Sequence, residues 1–198
     1  QKRVKEFIAL YKSKIKEYDE MLTGNIIFQN RMKGVGYLSP EDAISYGCSG
    51  PAARGSGVSC DIRKLYPYEV YNKVQFDEVL ETAGDSFARY MVRIREMNQS
   101  IRIIEQLIDN IPEGEFQAKT KAVLKLPKGE FYTRVETARG ELGVYIVSEG
   151  GTTPYRIKFR SPGFSNLSAL DHMARGSKLG DLVARMGGLA LVIPDIDR

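Results

Sequence analysis

Apolar residues recur at intervals of three and four along two long stretches of the chain, which is the spacing of one face of an α-helix. The first stretch covers residues 3–22 and is ended by Thr23, Gly24 and Asn25. The second runs from about Gly84 to Asp109, before Ile111 and Pro112. Its apolar positions, expected to face the core, are Phe87, Tyr90, Met91, Ile94, Met97, Ile101, Ile104 and Ile108.

Between these two helices, shorter signals predict a helix and a loop. Ser39 and Pro40 are a helix cap followed by proline at the first helical position, and Gly47 closes the predicted helix after Tyr46. Residues 49–58 contain three glycines and a proline. We interpret them as a loop that packs closely against another part of the molecule, since glycine permits a tight backbone approach.

The pattern changes to strand-like alternation in the second half of the chain. Strand-like alternation of side chains, with β-branched and aromatic residues, is seen at 131–137, 142–148 and 155–160. Residues 149–152 are expected to form a turn between the last two strands. Short helices are expected at 166–175 and 178–186, followed by an apolar tail at 189–193.

These elements predict a mainly helical α+β fold with a small antiparallel sheet. We divide the chain, residues 1–198, into a helical part (1–111), a connection (112–128), a small sheet (129–161) and C-terminal helices with a tail (162–198). The chain begins with Gln1 and a helical pattern starts within three residues. This suggests that an N-terminal half lies outside the sequence.

Composition narrows the possible functions. Hydrophobic residues make up 42% and charged residues 27% of the 198 residues, with a net charge of +4, which is ordinary for a globular domain. Six lysines and arginines fall within the first sixteen residues, and we interpret them as a solvated helix face because no nucleic-acid-binding module accompanies them. No window holds the roughly 18 consecutive apolar residues of a membrane span.

Candidate catalytic and metal-binding residues are few. Cys48 and Cys60 lie twelve residues apart, not at the short spacing of a thiolate metal site, and we interpret both as small buried hydrophobic residues. The single histidine, His172, lies on a predicted helix without an orienting partner. The glycine-rich loops lack the context of a nucleotide-binding motif.

Several separated blocks of residues, in one order, carry a resemblance to a known family. The most extended is residues 136–167, which contain Arg-Gly-Glu-Leu-Gly at 139–143 and Pro-Tyr-Arg at 154–156. The other blocks are 49–57 (Ser-Gly-Pro-Ala-Ala-Arg-Gly-Ser-Gly), 61–64, 67–68, 84–85, 89–97, 100–104, 127–130 and 197–198. Together they resemble the hydrogenase-like, D-type subunit at the quinone site of the proton-pumping NADH:quinone oxidoreductase, complex I.

The resemblance implies a fold and a task. The D-type subunit is related to the large subunit of [NiFe] hydrogenases, so the chain would correspond to the C-terminal half of that fold. A hydrogenase would carry a metal-binding Cys-x-x-Cys near its end, whereas residues 187–198 contain no cysteine. The D-type subunit instead helps to form the pocket in which a quinone accepts electrons from the terminal iron–sulfur cluster. The histidine and tyrosine that bond the quinone lie in the other half of the family's sequence.

The resemblance implies roles for individual residues. Val192, Asp195 and Arg198 match positions that line the quinone cavity. The family commonly has aspartate where Ala190 stands and glycine where Pro194 stands, which puts proton handling there in doubt and should stiffen the tail. Arg54 and Arg139 would either form structural ion pairs or carbonyl hydrogen bonds, or tune the charge near the cluster. A group on the long helix, Arg93, Arg95 and Glu96, is interpreted as a solvated or subunit-facing surface.

The implied activity belongs to an assembled enzyme. In that enzyme electrons pass from NADH through iron–sulfur clusters to quinone, and the segment alone binds no cofactor and is inactive. The implied partners are the terminal-cluster subunit, the C-type subunit and other peripheral-arm subunits, on the cytoplasmic side of a bacterial inner membrane. Two alternatives stay open: the catalytic subunit of a membrane-linked [NiFe] hydrogenase, and a non-catalytic assembly protein that reuses the fold as a docking surface.

Overall fold

A computed structural model describes residues 1–120 and 123–197, and it confirms the predicted mainly helical α+β fold. Helices come first, a three-stranded antiparallel sheet follows, and short helices end the described chain. The helices are α1 (Lys2–Tyr18), α2 (Ile26–Met32), α3 (Pro40–Ser45), α4 (Pro51–Arg54), α5 (Ile62–Leu65), α6 (Ser86–Leu107), α7 (Pro162–Ser168), α8 (Leu170–Ala174), α9 (Leu179–Leu189) and α10 (Ile193–Ile196). The strands are β1 (Gly129–Thr137), β2 (Gly140–Ser148) and β3 (Arg156–Arg160).

The two long helices lie where the periodicity predicts them. α1 continues as a π-helical turn, Asp19–Thr23, so the helical run ends one residue beyond the predicted range of 3–22. The side chain of Asp85 caps α6 by accepting a hydrogen bond from the backbone N–H of Ala88 at 2.7 Å. Ile8 and Ile15 of α1 pack with Ile101 of α6 in one buried cluster. The apolar stripes therefore join the two helices.

The predicted short helix is confirmed as α3, but the predicted loop at 49–58 is wrong in part. The Ser39 side chain accepts a hydrogen bond from the backbone N–H of Asp42 and caps α3. Residues 51–54 form one helical turn, α4, because Pro51 has the fixed φ that suits a first helical position. The predicted close packing is present. A Cβ added at Gly50 (φ +62°) would lie 2.5 Å from the carbonyl oxygen of Arg139, which leaves room only for glycine.

The sheet is a meander in the order β1-β2-β3, and its two faces differ sharply. Cross-strand partners such as Phe131↔Ile146 and Ile146↔Ile157 share a face. We call this face, made up of Phe131, Thr133, Val135, Leu142, Val144, Ile146, Ile157 and Phe159, the apolar face. The opposite charged face carries Glu130, Tyr132, Arg134, Glu136, Glu141, Tyr145, Arg156, Lys158 and Arg160.

The charged face is the one that meets the helices. Arg160 donates to the hydroxyl of Ser49 at 3.0 Å and to the carbonyl oxygen of Gly47 at 2.8 Å. Glu136 forms an ion pair with Arg54 of α4. This orientation inverts the usual arrangement, in which the apolar face of an antiparallel sheet covers the core.

The C-terminal helices complete the main core. The predicted helix at 166–175 is divided into α7, which begins four residues earlier because Ser161 caps it, and α8. α9 extends three residues beyond its predicted end, and α10 was not predicted. The central buried cluster consists of Leu38, Ala43, Cys48, Ala52, Ala53, Ala169, Met173 and Leu189. Among the described residues, no helix is long and apolar enough to cross a membrane.

Candidate functional site

Arg54 lies at the centre of a buried ion-pair cluster that joins three elements. Its Nη1 donates to Oε1 of Glu136 on β1 at 2.9 Å, and its Nη2 lies 2.6 Å from Oε1 of Glu96 on α6. The side chain of Arg54 is 1% exposed, and those of Glu136 and Glu96 are 4% and 17% exposed. The other oxygen of Glu136, Oε2, accepts a hydrogen bond from the backbone N–H of Ile62 at 3.2 Å. We call Arg54, Glu96 and Glu136 the arginine–glutamate cluster.

Burial and charge act in opposite directions on this cluster. Burial raises the pKa of Glu96 and of Glu136, and the nearby Arg54 guanidinium only partly offsets that rise. Burial also lowers the pKa of Arg54, but Glu96 and Glu136 more than compensate, so that its pKa is raised above the usual value. The guanidinium is therefore fixed in its charged form, and the two carboxylates are the groups that can take up a proton.

A cavity of about 380 Å³ opens beside the arginine–glutamate cluster. Its wall adds Arg63, Arg93, Tyr11 and Tyr71 to the three cluster residues. Arg63 pairs with both carboxylate oxygens of Asp61, at 2.9 and 2.6 Å, whereas Nε of Arg54 is buried and has no hydrogen-bond partner among the described residues. The cavity thus combines paired charged groups with apolar and aromatic surface.

Arg93 and Glu96 are half-buried, so they do not belong to the solvated surface that was one of the two interpretations of this group; Arg95 is exposed. Glu96 turns toward Arg54. Arg93 donates to the carbonyl oxygens of Arg89 at 3.0 Å and of Gly188 at 2.8 Å, near the end of α9. The charges are buried because groups far away in sequence pair with them, which helical periodicity cannot show.

Arg89 is a second buried arginine that the sequence did not reveal. It is fully buried and donates to the carbonyl oxygens of Gly84 at 3.0 Å and Gly36 at 2.5 Å. Burial, together with the charge of Arg93, lowers the pKa of Arg89 to about 10. The flanking small residues Ser86 and Ala88, also buried, were a sequence signal that a second face of α6 is covered.

Arg139 lies in the tight turn between β1 and β2. Its backbone carbonyl accepts a hydrogen bond from the Asn166 side chain at 3.3 Å, which ties the turn to α7. Its Nε is buried and has no hydrogen-bond partner among the described residues. The positive charge of Arg139 is one of the causes that lower the pKa of Arg93, so the two side chains lie in one electrostatic environment.

The C-terminal tail brings Asp195 to the start of α7. Oδ2 of Asp195 accepts a hydrogen bond from the backbone N–H of Gly163 at 2.8 Å, and the carbonyl of Asp195 accepts one from the Ser161 hydroxyl. A negative charge at a helix N-terminus is favourable. Val192 is half-buried and immediately precedes α10. Arg198 lies outside the described residues.

A small cleft lies where the tail meets the sheet. It has a volume of about 320 Å³, and its apolar wall consists of Phe159 of β3, Phe164 of α7 and Ile196 of α10. Lys158 and Arg160 add positive charge at its rim. The cleft combines aromatic surface with a few polar groups, as small-molecule sites do.

The remaining candidates have ordinary surroundings. Cys48 is buried in the central cluster, and burial raises the pKa of both Cys48 and Cys60 to about 11, which leaves their thiols protonated and poorly reactive. His172 lies 3.3 Å from a carboxylate oxygen of Asp42 and is 44% exposed. Across residues 1–120 and 123–197, no three His, Cys, Asp or Glu side chains form a group that could hold a metal ion.

A helical chain with an exposed apolar sheet face and a cleft at its end is typical of one component of a larger protein. Comparison with known proteins identifies the kind of component. The chain belongs to the family described as the 49 kDa subunit of respiratory-chain NADH dehydrogenase, whose sequence profile matches residues 1–125 and 115–198. The resemblance seen in the sequence is therefore confirmed.

Individual relatives agree with this assignment. Over 197 residues, the chain is 54% identical to the C/D-type subunit of NADH-quinone oxidoreductase from Bacteroides thetaiotaomicron, covering 100% of the chain and 37% of the relative. It is 48% identical to the D-type subunit from Desulfotalea psychrophila, covering 98% of the chain and 52% of the relative. It is 44% identical to the D-type subunit from Bacillus cytotoxicus, covering 98% and 54%. The chain thus spans about half the length of the D-type relatives.

Proposed function

We propose that this chain is the portion of a D-type subunit that forms one wall of the quinone-reduction pocket in a bacterial NADH:quinone oxidoreductase. In the assembled peripheral arm, electrons from NADH would reach the quinone through iron–sulfur clusters held by other subunits. The observation that carries the proposal is family membership over essentially the whole chain. The partners would include the terminal-cluster subunit and, by analogy with the C/D-type relatives, the C-type subunit.

The structure supports a binding role for the tail. Val192, Asp195 and Arg198 are the proposed pocket residues, and Asp195 fixes the tail by its hydrogen bond to Gly163. A Cβ added at Gly163 would lie 2.4 Å from that carboxylate oxygen, so the contact needs glycine there. A tail held in one conformation presents Val192 as a fixed apolar wall, which favours binding of a flat apolar headgroup.

Arg54 and Arg139 have a different proposed role. Both lie away from the tail residues in sequence, and Arg54 is neutralised by two carboxylates. We propose that the arginine–glutamate cluster sets the charge on the side of the chain that faces the iron–sulfur cluster. The ion pairs would keep this charge fixed while the quinone is reduced.

The test uses the intact enzyme. Replacing Val192 by Met, a larger side chain, should change the sensitivity of quinone reduction to quinone-site inhibitors by about tenfold, the effect of a kilocalorie-scale packing change. Assembly should be unaffected. The matched control is Ile193→Met, because Ile193 is 73% exposed and adjacent. Unchanged inhibition in a normally assembled Val192→Met enzyme would contradict the proposal.

A further inference from the structure

The apolar face of the sheet is covered only in part by the rest of the described chain, with Val135, Leu142, Val144 and Ile146 half-buried. Phe131, Ile157 and Phe159 are 43%, 45% and 46% exposed. Seven of its eight positions, counted from Phe131 to Phe159 across the three strands, are apolar, and the eighth is Thr133. A contiguous apolar surface of this kind on a folded chain marks a contact with something else.

The residues of the apolar face are not those typical of a solvated sheet face. The charged face has hydrogen bonds and ion pairs within itself and with the helices, such as Tyr132 to Glu141 at 3.0 Å. In an antiparallel sheet with one solvated face, the polar face is normally the one in contact with water. The charged face instead meets α4 and the loop before it through Glu136 and Arg160. Tyr132 and Lys158 of the charged face are exposed as well, but only the apolar face would be stabilised by contact with further polypeptide.

The surface extends beyond the sheet toward the tail. Phe159 shares the cleft at the end of β3 with Phe164 and Ile196, and Phe164 is 63% exposed. Strand β3 is also an edge strand that pairs only with β2 among the described strands. An exposed edge beside an apolar face is a risk of aggregation unless it is covered as soon as the chain folds.

We infer that the apolar face, with Phe164 at its end, is the surface on which the remaining half of the D-type polypeptide packs. The relatives supply the reason for choosing this occupant: the chain accounts for only 52% and 54% of two D-type relatives. The inference rests on the proposed function: as a portion of a D-type subunit, this chain would have about as much polypeptide again in the same molecule. A segment of the same polypeptide can bury the apolar face during folding, before any partner protein binds. Early burial of this kind limits the aggregation of an exposed apolar face.

Cysteine accessibility in the full-length protein tests this inference. Thr133→Cys places a thiol in the middle of the apolar face with little change in volume, and Lys158→Cys places one on the exposed opposite side of β3. Each full-length variant is produced without its partner subunits and treated with a maleimide reagent, and modification is followed by mass spectrometry. The parent protein supplies the background, to which Cys48 and Cys60 should add little because their raised pKa disfavours the thiolate.

We expect the thiol at 133 to react at least about tenfold more slowly than the thiol at 158 in the lone full-length protein. The reason is that the thiol at 133 becomes accessible to the reagent only through local unfolding. Ile157→Cys is a second probe of the same face if the first variant folds poorly. Equal reaction at 133 and 158 overturns the inference, including the cases in which protection appears only after partner subunits or lipid vesicles are added. Protection that disappears on dilution would instead assign the face to a second copy, and would also overturn it.

Discussion

Two buried arginines, one beside helix α6 and one on it, have different hydrogen-bond partners. Arg54 approaches α6 from α4 and pairs with two carboxylates, one on α6 and one on the sheet. Arg89 projects from α6 itself and contacts the carbonyl oxygens of Gly36 and Gly84. The pKa of Arg54 is raised, whereas that of Arg89 is lowered to about 10. Carboxylate partners thus stabilise the buried charge, and carbonyl partners only satisfy its hydrogen bonds.

The comparison separates two structural tasks. The arginine–glutamate cluster connects elements far apart in sequence, since Glu136 follows Arg54 by 82 residues. Arg89 fixes the local geometry of the loops before α6. We therefore expect substitutions of Arg54 and Arg89 to lower the free energy of unfolding by different amounts and with different pH dependence.

The largest effect is expected from Arg54→Met, which keeps the length of the side chain and removes its charge. It should lower the free energy of unfolding by about 3–5 kcal/mol, because Glu96 and Glu136 are left buried without their partner. Urea unfolding measures this difference. A loss below about 1 kcal/mol would mean that the carboxylates are hydrated in the native protein.

The same variant should show a pH signature. Arg54 lowers the pKa of Glu96 and Glu136 against the effect of burial, so its removal raises both pKa values further. When the pKa of a group is higher in the folded than in the unfolded protein, the free energy of unfolding falls as the pH rises through the folded-state pKa. The stability deficit of Arg54→Met should therefore be larger at about pH 8 than at about pH 5. A deficit independent of pH would contradict the assignment of those two carboxylates.

An intermediate effect is expected from Arg89→Met. The carbonyl oxygens of Gly36 and Gly84 lose their donor, which should cost about 1–3 kcal/mol of unfolding free energy. Asp85, whose charge acts on Arg89, keeps its hydrogen bonds from the backbone N–H groups of Gly34 and Ala88, so this deficit should be constant between about pH 5 and pH 8. Unfolding of the two variants under the same conditions gives the comparison. A pH-dependent loss in Arg89→Met would show that an acidic group also pairs with Arg89.

The smallest effect is expected from Arg95→Ala on the exposed side of α6. Arg95 pairs with Glu81, and its side chain is 54% exposed. Exposed ion pairs of this type contribute between about 0 and 1 kcal/mol. Added salt should reduce the difference further, as measured by the same unfolding experiment. A loss as large as that of Arg89→Met would indicate that further polypeptide covers this surface in the full-length protein.

The sequence predicted those elements whose signals are local. α1 and α6 follow from apolar spacing, α3 from the Ser39 cap and Pro40, and the strands from alternation. α4 was missed because its glycine-rich surroundings outweigh a single turn. α2, α5 and α10 were also missed, because four to seven residues give little or no periodicity. Tertiary contacts decide such short elements.

The candidate site was harder to predict, for a related reason. Arg54 and Arg139 were identified from the family resemblance, but Glu136 and Glu96 were not recognised as the partners of Arg54. Charges on a helix are normally solvated, and Glu96 is buried only because α4 and β1 bring Arg54 and Glu136 to it. The capping contact between Asp195 and Gly163 spans 32 residues and has no signal in either segment alone.

The proposed quinone wall is tested most directly by locating the bound ligand. A photoreactive quinone analogue would be added to the intact enzyme, activated by light, and the labelled peptides identified by mass spectrometry, with excess unlabelled quinone as the competitor. We expect competed label within residues 189–197, the tail that contains Val192 and Asp195. Competed label confined to other parts of the enzyme, with none in this tail, would contradict its proposed role in the quinone pocket.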